Sequence, residues 1–358
     1  MKIRLVVVAA DVMYLKKITD IFTTKFEDKL EVYSFSDIHP AMEILEKNRI
    51  NVMLVDDSFT MDTDQLPQHC GFAYLVESSN IETVRGQRAI GKFQKVDLIY
   101  KQILSIYSEH GGGNTPIYDR DSESCKLVTF ISAAGGVGTS CAAAACAAFL
   151  AERGRRVLYL NLETYSSTDV FFRSEGQFDM TDIVYALKSR KTNFTIKLES
   201  CVKQDSYGVY FFSSPKMALD IMEMSIEDIK RFISELRLSG LYECIVLDTD
   251  FDLRDKGMFL LAQSNRVIMV NDGSQIANIK TMAACRAISA IEQEKNVSIL
   301  SRMNLLYNKF SNQTSEMLEQ LDLHVIGGIP KFKHATAYQI MQEIISRGVF
   351  EELLLQMR

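Results

Sequence analysis

Between the apolar run Leu127–Ser132 and a helix-period stretch over Cys141–Glu152 the chain reads AAGGVGTS, with glycines at 135, 136 and 138 and hydroxyls at Thr139 and Ser140. A glycine-rich turn leading from a strand into a helix aims successive backbone N–H groups at one point, beside the positive end of the helix dipole. The chemistry this suits is the holding of an anion, phosphate above all. Gly135, Gly136 and Gly138 supply permissive backbone, Val137, Thr139 and Cys141 complete the loop and the first helical turn, and the Ser140 hydroxyl suits Mg²⁺. Many α/β proteins use glycine in such a turn without binding anything, so that plainer reading stays open at this point.

Other polar residues close apolar runs. Asn161 and Glu163 end the run VLYLNLE, Asp248 ends YECIVLD, and Asn308 ends LLYN and is followed by Lys309. Near the N-terminus Asp56 ends the run Asn51–Val55 and Lys92 follows the weaker run Gln87–Ile90. Each has a bland alternative as a polar residue where a strand meets solvent.

The elements that must position these residues alternate. Ile3–Ala9, Leu30–Phe35 and Asn51–Val55 read as strands, with helix-period segments over Met13–Thr24 and Ile38–Asn48. Phe72–Val76 and Gln87–Ile90 are shorter strand candidates, and Val96–Tyr107 closes the region as a helix. Strand–helix alternation at this spacing means a parallel, doubly wound sheet. Residues 109–125 (EHGGGNTPIYDRDSESC) are rich in Gly, Ser and Asp and lack apolar periodicity, as linkers do. The expected organisation is therefore a domain over 1–108, a linker over 109–125 and a second α/β domain over 126–358. In the latter, Arg156–Leu162, Val209–Pro215, Tyr242–Thr249 and Arg266–Val270 read as strands and Ile226–Leu238 as a helix.

Composition narrows the function classes. The 358 residues are 47% hydrophobic with a net charge of −6, so nucleic acid or anionic lipid would have to be attracted by a local basic patch. The basic stretches Arg153–Arg156 and Lys188–Lys191 are short and carry no interleaved aromatics, so no nucleic-acid partner is expected. Seven scattered cysteines form no C-x-x-C pair, which reads as reduced thiols and not as a disulfide frame or zinc site. No apolar run reaches the length of a signal peptide's core or a membrane span. The tail Ala337–Met357 has two apolar helical pieces split by Gly348, but Glu343, Glu351 and Glu352 outnumber nearby cations. A packed, domain-closing role is expected there, with membrane contact at most peripheral.

The second domain resembles the MinD/ParA-type P-loop ATPases, whose deviant Walker A loop reads K-G-G-x-G-K-[ST]-T. Ala134 stands at the first lysine, Thr139 at the second and Cys141 at the final threonine. The resemblance implies a site for ATP and Mg²⁺, with phosphates on Gly135–Cys141 and the metal near Ser140 and Asp248. It also implies that Glu163 places the attacking water, that the Asn308 amide reads adenine, and that Pro330 flanks the base. Both loop cations are missing. Loss of one charge-assisted hydrogen bond weakens binding by about ten- to a hundredfold, whereas loss of a finger-like cation removes roughly 10³–10⁵ in rate. Binding is expected to survive and hydrolysis to be slow or absent.

The first domain resembles a response-regulator receiver, of flavodoxin-like topology. Asp56 stands at the phosphoacceptor and Lys92 at the phosphoryl-contacting lysine, but the Mg²⁺-holding acidic pair is Ala9-Ala10, with Asp11 one step away. The expectation is a degenerate, unphosphorylated module for docking or dimerisation. An eroded receiver ahead of an eroded MinD-like domain is the arrangement of TadZ/CpaE-type pilus-assembly proteins. That resemblance implies a cytoplasmic, homodimeric localisation or scaffold protein, polar or peripheral to the inner membrane face, recruiting pilus-assembly or secretion proteins through its receiver. The alternatives are an active partition or site-selection ATPase, and a receiver-controlled signalling protein.

Overall fold

The computed structural model describes residues 2–110, 125–189 and 192–356. Most of the expected linker, and the end of the Lys188–Lys191 stretch, lie outside them. The described residues form two compact units, one from Met1–Ile117 with Tyr185–Cys201, the other from Tyr118–Val184 with Val202–Arg358.

The first unit runs β1 (Ile3–Val8), α1 (Val12–Lys25), β2 (Leu30–Phe35), α2 (Ile38–Lys47), β3 (Val52–Asp56), β4 (Gly71–Val76), β5 (Thr83–Val84), β6 (Gln87–Gly91) and α3 (Val96–His110). The sheet order is β2-β1-β3-β4-β6-β5, parallel except for the β5–β6 hairpin. Period-2 burial divides β1 cleanly: Leu5 and Val7 join one apolar cluster, Val6 and Val8 the other. Asp11 starts α1 by accepting from the Met13 and Tyr14 amides. Helical winding is incomplete. A short 3₁₀ turn, Thr63–Gln65, stands between β3 and β4, and the hairpin stands between β4 and β6. Its two turn residues, Arg85 and Gly86, both have positive φ (50° and 76°), as a tight hairpin turn demands. The unit also takes in the helix Phe194–Cys201, which packs on α3. There Lys197 Nζ reaches Ser105 Oγ at 2.8 Å and the Glu109 carboxylate at 3.5 Å.

The second unit begins with β7 (Lys126–Ile131), α4 (Thr139–Glu152), β8 (Val157–Asn161), α5 (Thr168–Phe171) and the start of α6 (Met180–Ser189), whose residues from Tyr185 on fall in the first unit. After the Phe194–Cys201 helix, counted α7, come β9 (Lys203–Gln204), β10 (Tyr210–Phe211), α8 (Ala218–Met222), α9 (Ile226–Leu238), β11 (Cys244–Asp248) and α10 (Asp255–Gln263). The unit closes with β12 (Arg266–Asn271), α11 (Gln275–Lys295), β13 (Met303–Phe310), β14 (His324–Pro330), α12 (Ala337–Ser346) and α13 (Glu351–Gln356). The eight strands are ordered β14-β13-β12-β7-β11-β8-β10-β9, and only the β9–β10 pair is antiparallel. Both faces are covered, so β12 sends Ile268 and Val270 into one core and Val267 and Met269 into the other.

The alanine-rich α4 is buried from Cys141 to Leu150 and lies against α12. A helix that is apolar all round has to be covered on all sides, and small side chains let its neighbours come close. The tail supplies part of that cover: Met341, Ile344, Phe350 and Leu353 are buried in the same core, with Phe350 edge-on to Phe130 and Phe149. The apolar faces of the expected tail helices therefore point inward.

Candidate functional site

β7 ends at Ile131, and the chain turns through 132–138 before α4 begins. The Ser132 hydroxyl shapes the turn, donating to the Ala134 carbonyl at 2.9 Å and accepting from the Ala134 amide at 3.1 Å. Gly136 and Gly138 take positive φ of 77° and 88°, conformations that glycine adopts without steric cost. A Cβ on Gly135 or Gly136 would meet nothing within 4 Å, so this face of the loop is open. Val137 faces the opposite way, into the core. Thr139, Ser140 and Cys141 form the first turn of α4, and the Cys141 thiol, pushed up to about 12 by burial, lies 3.4 Å from the Ala337 carbonyl.

Two residues at the end of β13 hold the loop. The buried Asn308 amide donates to the Val137 carbonyl at 2.8 Å and the Gly138 carbonyl at 3.3 Å, while its Oδ1 accepts from the Lys309 amide at 3.0 Å. Lys309 Nζ donates to the Gly136 carbonyl at 2.7 Å. Its backbone sits in the left-handed region at φ 59°, a conformation that costs a non-glycine residue about 1–3 kcal/mol and persists only where the surroundings hold it. A cavity of about 430 Å³ opens beside the loop, lined by its glycines and hydroxyls together with Glu163, Asp250, Lys309 and Ile340, among others.

Acidic and amide groups meet at the opposite wall. Asp248 and Asn161 are register partners on the parallel strands β11 and β8. Asn161 Nδ2 reaches Asp248 Oδ2 at 3.0 Å and Glu163 Oε2 at 2.9 Å, and the Tyr159 hydroxyl donates to the same Asp248 oxygen at 2.8 Å. Ser140 Oγ stands 3.1 Å from both Glu163 carboxylate oxygens. The loops above are tied by the Thr164 amide, which donates to Asp250 at 2.7 Å. Burial, then the charge of Glu163, push the Asp248 carboxyl well above the ordinary carboxylate range; burial, then Asp248, push the Tyr159 phenol up likewise.

The donor set fits a magnesium ion shared with phosphate. Asp248 Oδ1 is buried with no hydrogen-bond partner, a costly condition that a cation or its bound water relieves. Among the described residues no three His, Cys, Asp or Glu side chains cluster closely enough to cage a metal. Mg²⁺ is ordinarily held by few protein ligands plus waters and substrate phosphates. Of the expected site residues, Gly135, Gly136, Gly138, Thr139, Ser140, Cys141, Glu163 and Asn308 line the cavity. Asp248 stands just behind it, and the amide expected to face adenine is spent on the loop. Pro330, exposed at the end of the edge strand β14, is not among the lining residues.

In the first unit Asp56 is buried at the end of β3, 2.7 Å from Lys92 Nζ, and also accepts from the Ser58 amide. Burial pushes this carboxyl up, but the Lys92 ammonium and the Ser58 hydrogen bonds outweigh it and hold Asp56 below its usual range. Ala9 is buried, Ala10 is exposed, and Asp11 caps α1. The metal-holding acids of a working receiver thus have no counterpart at these positions.

Residues 1–108 match the family model of the TadZ-like receiver domain. This segment is therefore similar to TadZ-like receiver domains. For the rest of the chain the similar solved structures are MinD/ParA-type P-loop ATPases. A ParA family ATPase from Chlorobium tepidum TLS is 18% identical with a TM-score of 0.52, over 64% of this chain and 98% of that one, which establishes the fold. MinD in the MinC:MinD complex of Aquifex aeolicus (17% identical, TM-score 0.49, 64% and 96% covered) is a further neighbour. So is MinD with Mg-ADP from Pyrococcus horikoshii OT3 (16% identical, TM-score 0.48, 65% and 99% covered). No curated protein matches the sequence.

In the second unit, two residues matter more than their place in the sequence suggests. Tyr159 looked like one more apolar strand residue, yet its hydroxyl caps Asp248. The available signal was spacing, since Tyr159, Asn161 and Glu163 fall at every second position and so share one side of the strand. Lys309 was visible as the basic residue after Asn308, but its reach back to Gly136 depends on a left-handed backbone and a register shift between Tyr307 and Phe310.

Proposed function

We propose that the chain is an ATP- and Mg²⁺-binding localisation or scaffold protein of Tad-type pilus assembly, acting as a homodimer and holding nucleotide more than consuming it. The observation that carries the nucleotide reading is the open Gly135–Ser140 loop beside a buried Asp248 oxygen that lacks a partner. The loop amides and the α4 dipole bind phosphates, Ser140 and Asp248 hold Mg²⁺ with its waters, and Glu163 faces the same cavity through its contact with Ser140. ATP supplies the phosphoanhydride and the metal its charge. Slow or absent hydrolysis follows from Ala134 and Thr139, which leave the deviant Walker A positions without a cation.

The pilus assignment rests on the TadZ-like receiver domain, which serves as the recruiting module for assembly or secretion proteins. The alanines at 9 and 10, where a working receiver carries its metal-holding acids, support a constitutive, unphosphorylated role. We place the protein in the cytoplasm, at a pole or at the inner membrane face; no helix among the described residues is long and apolar enough to cross a membrane. In light scattering the chain should run at twice its 40.6 kDa mass with Mg-ATP present. The functional test is complementation of a chromosomal deletion in the native host. The wild-type gene should restore Flp-type pili and a Gly138→Ala copy expressed at equal level should not; normal piliation in the deletion strain would refute the assignment.

A further inference from the structure

The structure points to a substitute for the missing loop lysines. Among the described residues lining the cavity, Lys309 is the only lysine or arginine. It comes from the far end of β13, not from the loop, and its ammonium already sits on the loop at the Gly136 carbonyl, 2.7 Å away. Its stem runs past Gly138: a Cβ on that glycine would lie 3.4 Å from Lys309 Cε. The left-handed backbone at Lys309 and the register shift of β13 against β14 between Tyr307 and Phe310 aim the side chain towards the loop.

We infer that Lys309 supplies the positive charge for a bound polyphosphate, replacing in space the lysines that Ala134 and Thr139 displaced in sequence. This rests on the nucleotide-binding reading above. A neutral carbonyl is the weaker partner for an ammonium, and a phosphate oxygen entering the cradle offers a charge-assisted bond roughly twice as strong. Asn308, one residue earlier, fixes the place from which this cation acts, because its amide pins the same loop. Site occupancy is thus coupled to the end of β13, and the loop can lose both lysines without losing its anion.

The test is calorimetric titration of the full-length chain with Mg-ATP and with AMP, using wild type, Lys309→Gln, Lys309→Arg and, as a charge-matched control, Lys333→Gln at an exposed lysine that does not line the cavity. Lys309→Gln should weaken Mg-ATP binding by about ten- to a hundredfold and AMP binding much less. Lys309→Arg should recover most of the loss, and Lys333→Gln should match wild type. Near-wild-type Mg-ATP affinity in Lys309→Gln overturns the inference. So does an equal loss for ATP and AMP with no rescue by arginine, which marks a purely structural clip on Gly136. Failure of the wild type itself to bind Mg-ATP overturns the nucleotide-binding reading, a result distinct from either.

Discussion

Asn161 and Asp248 stand side by side on neighbouring parallel strands, with the Asn161 amide donating to Asp248 Oδ2 at 3.0 Å. An aspartate at position 161 would set two carboxylates against each other in the core, where like charges and burial both oppose ionisation. The amide avoids that conflict, and Asp248 Oδ1 is left without a partner.

Asp248→Asn is therefore expected to be tolerated by the fold and damaging to metal binding. Because burial raises the folded carboxyl above its unfolded value, folding favours the protonated form. That contribution is fully present below the unfolded carboxylate range and is lost as pH rises through the raised folded value. The nucleotide-free asparagine variant should melt at or above wild type at neutral pH. Its ATP affinity should no longer respond to Mg²⁺, and wild-type Mg-ATP binding should tighten as pH rises. Calorimetry with and without EDTA reads all three; a variant that still responds to Mg²⁺ would remove Asp248 from the metal site.

Gly138→Ala tests the cradle by sterics. The added methyl would lie 2.4 Å from Asn308 Nδ2 on a backbone with φ of 88°. The loop must deform, at a stability cost on the order of 1–3 kcal/mol, and nucleotide affinity should fall by more than tenfold. Unchanged affinity would mean that the loop does not carry the phosphates.

Asn308→Ala separates a loop clamp from a base reader. With its amide engaged on Val137 and Gly138, the residue should affect ATP and GTP binding by similar factors. A selective loss of ATP over GTP would return the amide to the adenine.

In the first unit, Lys92→Met should be costly, about 3–5 kcal/mol, because it leaves Asp56 buried without its cation. The double variant Asp56→Asn/Lys92→Met should recover most of that stability in thermal melts. Asp56 is held below its usual range, so the pair contributes above the unfolded carboxylate value of about 3.9 and is lost only as pH falls through the lower folded value. A small phosphodonor should leave Asp56 unmodified by intact-mass measurement; a stable aspartyl-phosphate would restore the signalling alternative.

Much of this was legible in the chain itself. Strands buried on both faces read as unbroken apolar runs, and β2 and α9 have the expected bounds. The glycine loop announced itself because few turns need positive φ twice in three residues. What stayed hidden depends on distant partners. The expected strand Val209–Pro215 contracts to Tyr210–Phe211, since pairing with β8 and β9 decides its length and not β propensity. The helix Phe194–Cys201 belongs with the first unit through contacts such as Lys197 to Ser105, which no local pattern encodes. Asn308 was expected to end its strand, which runs on to Phe310, and whether an amide faces a base or a loop carbonyl is settled by tertiary geometry.

Whether the loop holds nucleotide without spending it is read by titrating Mg-ATP into the purified full-length chain while following phosphate release from the same sample. Saturable, micromolar binding with release near background is expected. Turnover well above about 0.1 per minute, or no binding by a chain that melts cooperatively, would contradict it.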